Sequence, residues 1–83
     1  MYDEIDLHRL TVDEALVKLD KFLHDAYVSG LYTVSVVHGK GTGVLREAVR
    51  RELARHTLVH SFRPGGSGEG GASGVTIVRL TSK

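Results

Sequence analysis

Two short clusters hold the residues with chemical potential in this 83-residue chain: Asp6-Leu7-His8 and His38-Gly39-Lys40-Gly41-Thr42-Gly43. Histidine titrates near neutral pH when unperturbed, so His8 and His38 are both candidates for general acid or base. Lys40 offers a positive charge to developing phosphate oxygens, and the glycines let backbone amides come close to an anion. Asp6 could orient a histidine or hold a divalent cation. The chemistry such a set suits is hydrolysis of a phosphodiester, with His38 moving a proton and Lys40 on the phosphate. Arg46 and Arg50 would track adjacent phosphates.

Familiar nucleotide motifs do not fit. A P-loop needs Gly-x-x-x-x-Gly-Lys-Ser/Thr, but Lys40 is followed by Gly41 and no glycine stands at the required earlier position. A dinucleotide fingerprint needs Gly-x-Gly-x-x-Gly, and Gly39-Lys40-Gly41-Thr42-Gly43 is one residue short. His24, His56 and His60 have no partner motif and read as surface or packing residues. No two histidines sit at i,i+3 or i,i+4 on one helix face, which argues against a histidine-rich zinc site.

The clusters need elements to position them. Glu4 to His8 alternates polar and apolar and reads as a strand, with Ile5 and Leu7 inward and Asp6 and His8 sharing the other side. Thr11-Val12-Asp13-Glu14 is a capping box opening a helix over about 11–29, stopped by Ser29-Gly30. Residues 32–37 form a second strand, and the apolar stripe Leu45, Ala48, Val49, Leu53 predicts a second helix over about 43–56. Leu58 to Arg63 reads as a third strand and Val75 to Leu80 as a fourth. Residues 64–74 hold six of the ten glycines, which predicts a flexible loop.

The order β-α-β-α-β-β predicts an α/β two-layer sandwich: a mixed four-stranded sheet, two helices on one face and the last strand antiparallel. The carboxyl ends of the first three strands then share one edge, where open α/β sheets bind ligands. That edge gathers His8, the turn at 38–43, the glycine-rich loop and both helix starts, near Thr11 and Gly43.

Bulk properties bound the rest. One domain is expected at this length, with 41% hydrophobic and 25% charged residues. No apolar run approaches the roughly 20 residues that span a bilayer, so no membrane partner is expected and a cytoplasmic home is. The net charge of +1 excludes a global pull toward polyanions; binding must use a local patch. There is no cysteine, hence no disulfide framework or thiolate metal site.

Three segments resemble one family. Ile5-Asp6-Leu7-His8 resembles a Leu-Asp-Leu-His-Gly signature, and His38 to Arg46 a His-Gly-x-Gly-x-Gly-x-Leu-Arg signature. Residues 70–80 resemble the family's closing glycine-rich loop and strand. The chain is thereby identified as a member of the Smr (small MutS-related) domains, most similar to those at the C terminus of a bacterial MutS paralogue that suppresses recombination. The resemblance implies a fold like the C-terminal domain of a bacterial translation initiation factor. It implies low-specificity DNA binding and nicking in the control of recombination and repair, with RNA cleavage in some relatives. Carried over by position, Asp6, His8, His38 and Lys40 become catalytic. Arg9, Gly39, Gly41, Thr42, Gly43, Arg46 and Arg50 become nucleic-acid contacts. A divalent cation, magnesium or manganese, would be held by Asp6 if by any residue. The implied partners are DNA, branched DNA included, or RNA and the ribosome. The domain would end a larger protein with an ATPase and dimerisation region, nucleoid-associated when on DNA. One departure stands out: the family's glycine after the first histidine is Arg9 here. The competing expectation is a non-catalytic module docking on branched DNA or structured RNA, favoured by the lack of several clustered carboxylates for two metals.

Overall fold

Thr11 and Glu14 close the start of the first helix reciprocally. Glu14 N donates to Thr11 Oγ1 at 3.2 Å, and Thr11 N donates to Glu14 Oε1 at 3.0 Å. The helix they open, α1, spans Val12–Val28 and turns Ala15, Leu19, Leu23 and Ala26 inward. It ends in a Schellman motif. Gly30 takes the left-handed conformation, Leu31 N reaches Ala26 O at 3.0 Å and Gly30 N reaches Tyr27 O at 3.1 Å.

The computed structural model describes residues 3–65 and 74–82. Its strands are β1 (Glu4–Asp6), β2 (Thr33–Val37), β3 (Val59–Pro64) and β4 (Val75–Leu80), with a second helix, α2 (Val44–Arg55). The mixed sheet has the order β1-β2-β4-β3, with β1 parallel to β2 and β4 antiparallel to both of its neighbours. β4 thus slots between β2 and β3, while β1, β2 and β3 all run the same way and end at one edge. The expected α/β fold with an antiparallel last strand is the one observed. The expected loop falls largely on residues 66–73, outside those described.

One core explains the layering. Val34, Val36, Val78 and Leu80 of the sheet meet Ala15, Leu19, Leu23 and Ala26 of α1 and Val49 and Leu53 of α2. Both helices therefore cover the same sheet face. Residues paired across strands share a face, so Asp6, Val37, Ile77, Arg63 and Arg79 lie on the other, uncovered one. Pro64 ends β3, which is an edge strand, where a missing backbone donor is tolerated.

β1 is shorter than its alternation predicts. Asp6 Oδ1 accepts from His8 N at 3.0 Å and bends the chain out of the sheet two residues early. The other boundaries differ from expectation by a residue or so.

Candidate active site

β1 delivers Asp6, and the bend after it delivers His8. Besides the backbone bond, Asp6 Oδ1 accepts from His8 Nδ1. A carboxylate can only accept, so Nδ1 carries a proton, and in the neutral imidazole the free lone pair is on Nε2. Both side chains are open to solvent, 45% exposed for His8 and 54% for Asp6. The His8 hydrogen bond, with a smaller contribution from the Arg9 charge, holds the Asp6 carboxyl below its ordinary value. The next residue, Arg9, has a φ of 73°, a left-handed conformation that costs a side-chain-bearing residue about 1–2 kcal/mol. This is the position where the signature has glycine, and the backbone shows why.

The turn after β2 is anchored from both sides. His38 N and Gly39 N both donate to Gly74 O, at 3.1 and 3.0 Å. Gly39 has a φ of 80°, and a Cβ placed there would sit 3.3 Å from His8 Cβ. The two clusters read from the sequence therefore lie close together, and a side chain at Gly39 would be both strained at that φ and crowded by His8.

His38 points the other way. It is only 4% exposed, and both ring nitrogens are taken. Nδ1 donates to Gly39 O at 3.0 Å, and Nε2 accepts from Thr76 Oγ1 at 2.8 Å. Thr76 Oγ1 in turn accepts from Arg50 Nε at 3.1 Å. Burial pushes the His38 pKa down; the charges of Arg50 and Arg46 add to this, and the Gly39 carbonyl opposes it. His38, expected to move a proton, is buried here with both ring nitrogens engaged, and it braces the turn. Arg50, expected on a phosphate, gives its Nε to Thr76 and is not among the residues that line the cleft at the start of α2.

α2 begins without a side-chain cap. Gly43, its N-cap, has a φ of 87°, and Val44 N donates only a long hydrogen bond, 3.4 Å, to Thr42 Oγ1 one residue before the cap. The first helical bond runs from Glu47 N to Gly43 O at 2.9 Å, so the amides of Val44, Leu45 and Arg46 precede it. A cleft of about 370 Å³ opens there, between the turn at 38–43 and the segment at 9–12. Arg9, Lys40 and Arg46 line it, and among the described residues no carboxylate does. Arg46 folds back so that its guanidinium lies against Gly43. Thr42 Oγ1 holds the Val44 amide only at 3.4 Å, and Glu47 is the one acid in the first turn of α2; the cations of the cleft and the amides of Leu45 and Arg46 make it a candidate anion site. Gly41 and Thr42 also belong to its wall; Asp6 and His8 do not line it, but His8 precedes Arg9 and lies close to Gly39, which both do.

A cation at Asp6 would have few ligands. Asp6 Oδ1 is engaged by His8, leaving Oδ2. One magnesium or manganese ion, held mainly by water and phosphate oxygens, fits that donor set; a pair of metals does not.

Sequence reasoning missed one cluster elsewhere. His24, His56 and Asp20 converge, with His56 Nε2 donating to Asp20 Oδ1 at 2.8 Å and the two rings edge to face at 5.6 Å. The spacing Asp20–His24 is the i,i+4 signal that a search for paired histidines overlooks. His56 Nδ1 accepts from Leu58 N at 3.1 Å, which fixes the proton on Nε2. A metal on Nε2 would need the proton on Nδ1, facing that amide, so the cluster is a clasp between α1 and the end of α2. His60 reaches only Ser61 Oγ, at 3.4 Å.

Comparison with known proteins agrees with this geometry. The family described as the Smr domain matches residues 5–81. Endonuclease MutS2 of Caldicellulosiruptor saccharolyticus is 58% identical over 76 residues, covering 92% of this chain and 10% of that protein. The crystal structure of the Smr domain of Thermus thermophilus MutS2 is similar with a TM-score of 0.89 at 48% identity, over 95% of this chain and 98% of that one. YdaL, a stand-alone small MutS-related protein from Escherichia coli, is similar with a TM-score of 0.86 at 28% identity, over 98% of this chain and 65% of that one. The chain spans about a tenth of the length of the curated relatives it matches. Among the described residues, no helix is long and apolar enough to cross a membrane.

Proposed function

The chain belongs to the Smr domain family, and from that premise we propose that it grips nucleic-acid phosphates in the cationic cleft and nicks DNA by hydrolysing a phosphodiester. The observation that carries this reading is the close approach of Gly39 to His8, which brings an oriented histidine near the cationic turn. Asp6 holds Nδ1–H, so His8 Nε2 faces outward as the base. It takes a proton from a water whose oxygen attacks phosphorus. The P–O bond to the leaving oxygen breaks, and that oxygen takes a proton from solvent. Lys40 and the α2 amides stabilise the charge that grows on the non-bridging oxygens. A divalent ion at Asp6, when bound, would neutralise phosphate charge; orientation of His8 is Asp6's own task.

Nothing in the cleft reads base edges in particular. Arginine, lysine and backbone amides are phosphate contacts, which position a polymer without selecting sequence. Low sequence specificity follows, and with it a role in controlling recombination, set by whatever region of a parent protein brings the domain to branched DNA. The test is nicking of supercoiled plasmid, with and without chelator. We expect His8→Ala and Asp6→Asn each to lose about 10²–10⁴-fold while staying folded. Unchanged nicking in both would overturn the assignment.

A second reading rests on the sparse carboxylates: the same cleft docks branched DNA or structured RNA, the ribosome included, without cutting it. Under that reading Lys40→Ala and Arg46→Ala weaken binding and flatten its salt dependence, while no preparation nicks.

A further inference from the structure

The uncovered sheet face carries cations that the cleft does not use. Arg79 on β4 is paired with Thr33 on β2 and with Ser61 on β3, so a guanidinium stands between two hydroxyl side chains on one face. Arg63 on β3 is paired with Ile77 and projects on that same face. These residues line a groove of about 250 Å³, and both arginines are exposed. Among the described residues, neither arginine has a carboxylate partner; Arg63 reaches only the carbonyl of Pro64, at 3.4 Å. The acids of this face, Glu4 and Asp6, lie on β1 at the far edge.

Guanidinium groups match phosphate in a fixed fork geometry, and hydroxyls are ordinary donors to backbone oxygens. Ile77 supplies aliphatic surface to the groove and Phe62, packed mainly on the core, an aromatic edge, while the two exposed arginines give it the positive charge that favours a polyanion. Position points the same way. Asp6 lies on this face at the edge where the cleft opens, so a polymer seated at the dyad has the sheet as its continuation. Arg63 stands three strand spacings away and two residues further along, roughly 16 Å from Asp6. At about 3.4 Å of axis per nucleotide, that is roughly five nucleotides.

We propose that Arg63 and Arg79, with Thr33 and Ser61, form a second phosphate-contact site that holds the backbone of the same nucleic acid about five nucleotides from the Asp6–His8 dyad. This inference rests on the nucleic-acid reading of the cleft. It makes the domain a two-point clamp, with the scissile position between a cleft contact and a sheet contact.

The experiment is fluorescence anisotropy of the 83-residue chain with a labelled 30-base-pair duplex and a labelled dinucleotide, each titrated at several salt concentrations. The proteins are wild type, the double variant Arg63→Gln/Arg79→Gln, and Lys40→Ala. Losing two phosphate contacts should flatten the log–log salt slope for the duplex by about 1.8. The dinucleotide, too short to reach the sheet, should bind wild type and the double variant alike. Duplex binding unchanged in the double variant but weakened by Lys40→Ala overturns the second site and leaves the cleft reading standing. Duplex binding unchanged in both variants overturns the cleft reading as well. A double variant that keeps duplex affinity but loses affinity for a polyglutamate peptide would assign the face to an acidic protein partner and overturn the proposal.

Discussion

The two helices begin a few ångströms from the same cleft and are finished in opposite ways. α1 is closed by its own side chains: Thr11 and Glu14 exchange hydrogen bonds, and the Thr11 amide holds the Glu14 carboxyl below its ordinary pKa. α2 has a left-handed glycine as N-cap, no side-chain cap, and Lys40 and Arg46 nearby where α1 has Asp13 and Glu14. A capped start is a stability device; an uncapped one with cations around it is a place for an anion. One helix is finished by its own side chains, and under the proposed function the other is finished by a ligand.

Substitutions that sharpen this contrast should fall in a definite order. The largest effect is expected from Lys40→Ala, which removes the charge beside the open start. Nicking should fall by about 10²–10³-fold, with the melting temperature unmoved, as measured by plasmid assay and thermal scan in parallel. Thr42→Asp tries to close α2 from within by placing a carboxylate next to Val44 N. Duplex affinity should drop about tenfold from phosphate repulsion and loss of the open amides, with stability equal or higher. Arg9→Gly relieves the strained backbone just before α1. It should raise stability by about 1 kcal/mol in a denaturant melt while weakening duplex binding through the lost cation. Thr11→Ala should cost about 1 kcal/mol, or roughly 4–8 °C in Tm, and leave nicking by the folded protein largely intact.

The smallest effect is in pH. The folded state keeps His38 neutral below the ordinary histidine value of 6.5, so in that range the unfolded chain binds more protons. Stability is then fully present above about pH 6.5 and declines as pH falls toward the depressed folded value. His38→Gln should flatten that part of the stability profile. Asp6, whose value is also lowered, loses its share only in more acid solution, below 3.8.

The contrast between the helix starts was half legible in the sequence. Thr11-x-x-Glu14 announces a cap because its partners lie three residues apart, and the glycines of 39–43 announce an irregular turn. The edge shared by both clusters followed from strand order, because β1, β2 and β3 run the same way even with β4 inserted between the last two. The direction of His38 was not legible. Alternation places Val34 and Val36 inward, so His38 continues the buried side of β2, yet its partner Thr76 lies 38 residues away, and Thr76 is bonded in turn by Arg50 from α2. Hydrogen bonds at that separation are settled by tertiary packing, which also took Arg50 out of the cleft. Likewise Asp20 meets His56 only because α1 and α2 pack side by side.

The central claim, that the open start of α2 and not the capped start of α1 receives the phosphate, is tested most directly by ¹H–¹⁵N NMR. A dithymidine phosphorothioate, slow to hydrolyse, would be titrated into the labelled chain. The account predicts saturable shifts at the amides of Val44, Leu45 and Arg46, with Asp13 and Glu14 unmoved. Shifts at Asp13 and Glu14, with Val44 to Arg46 unchanged, would contradict it.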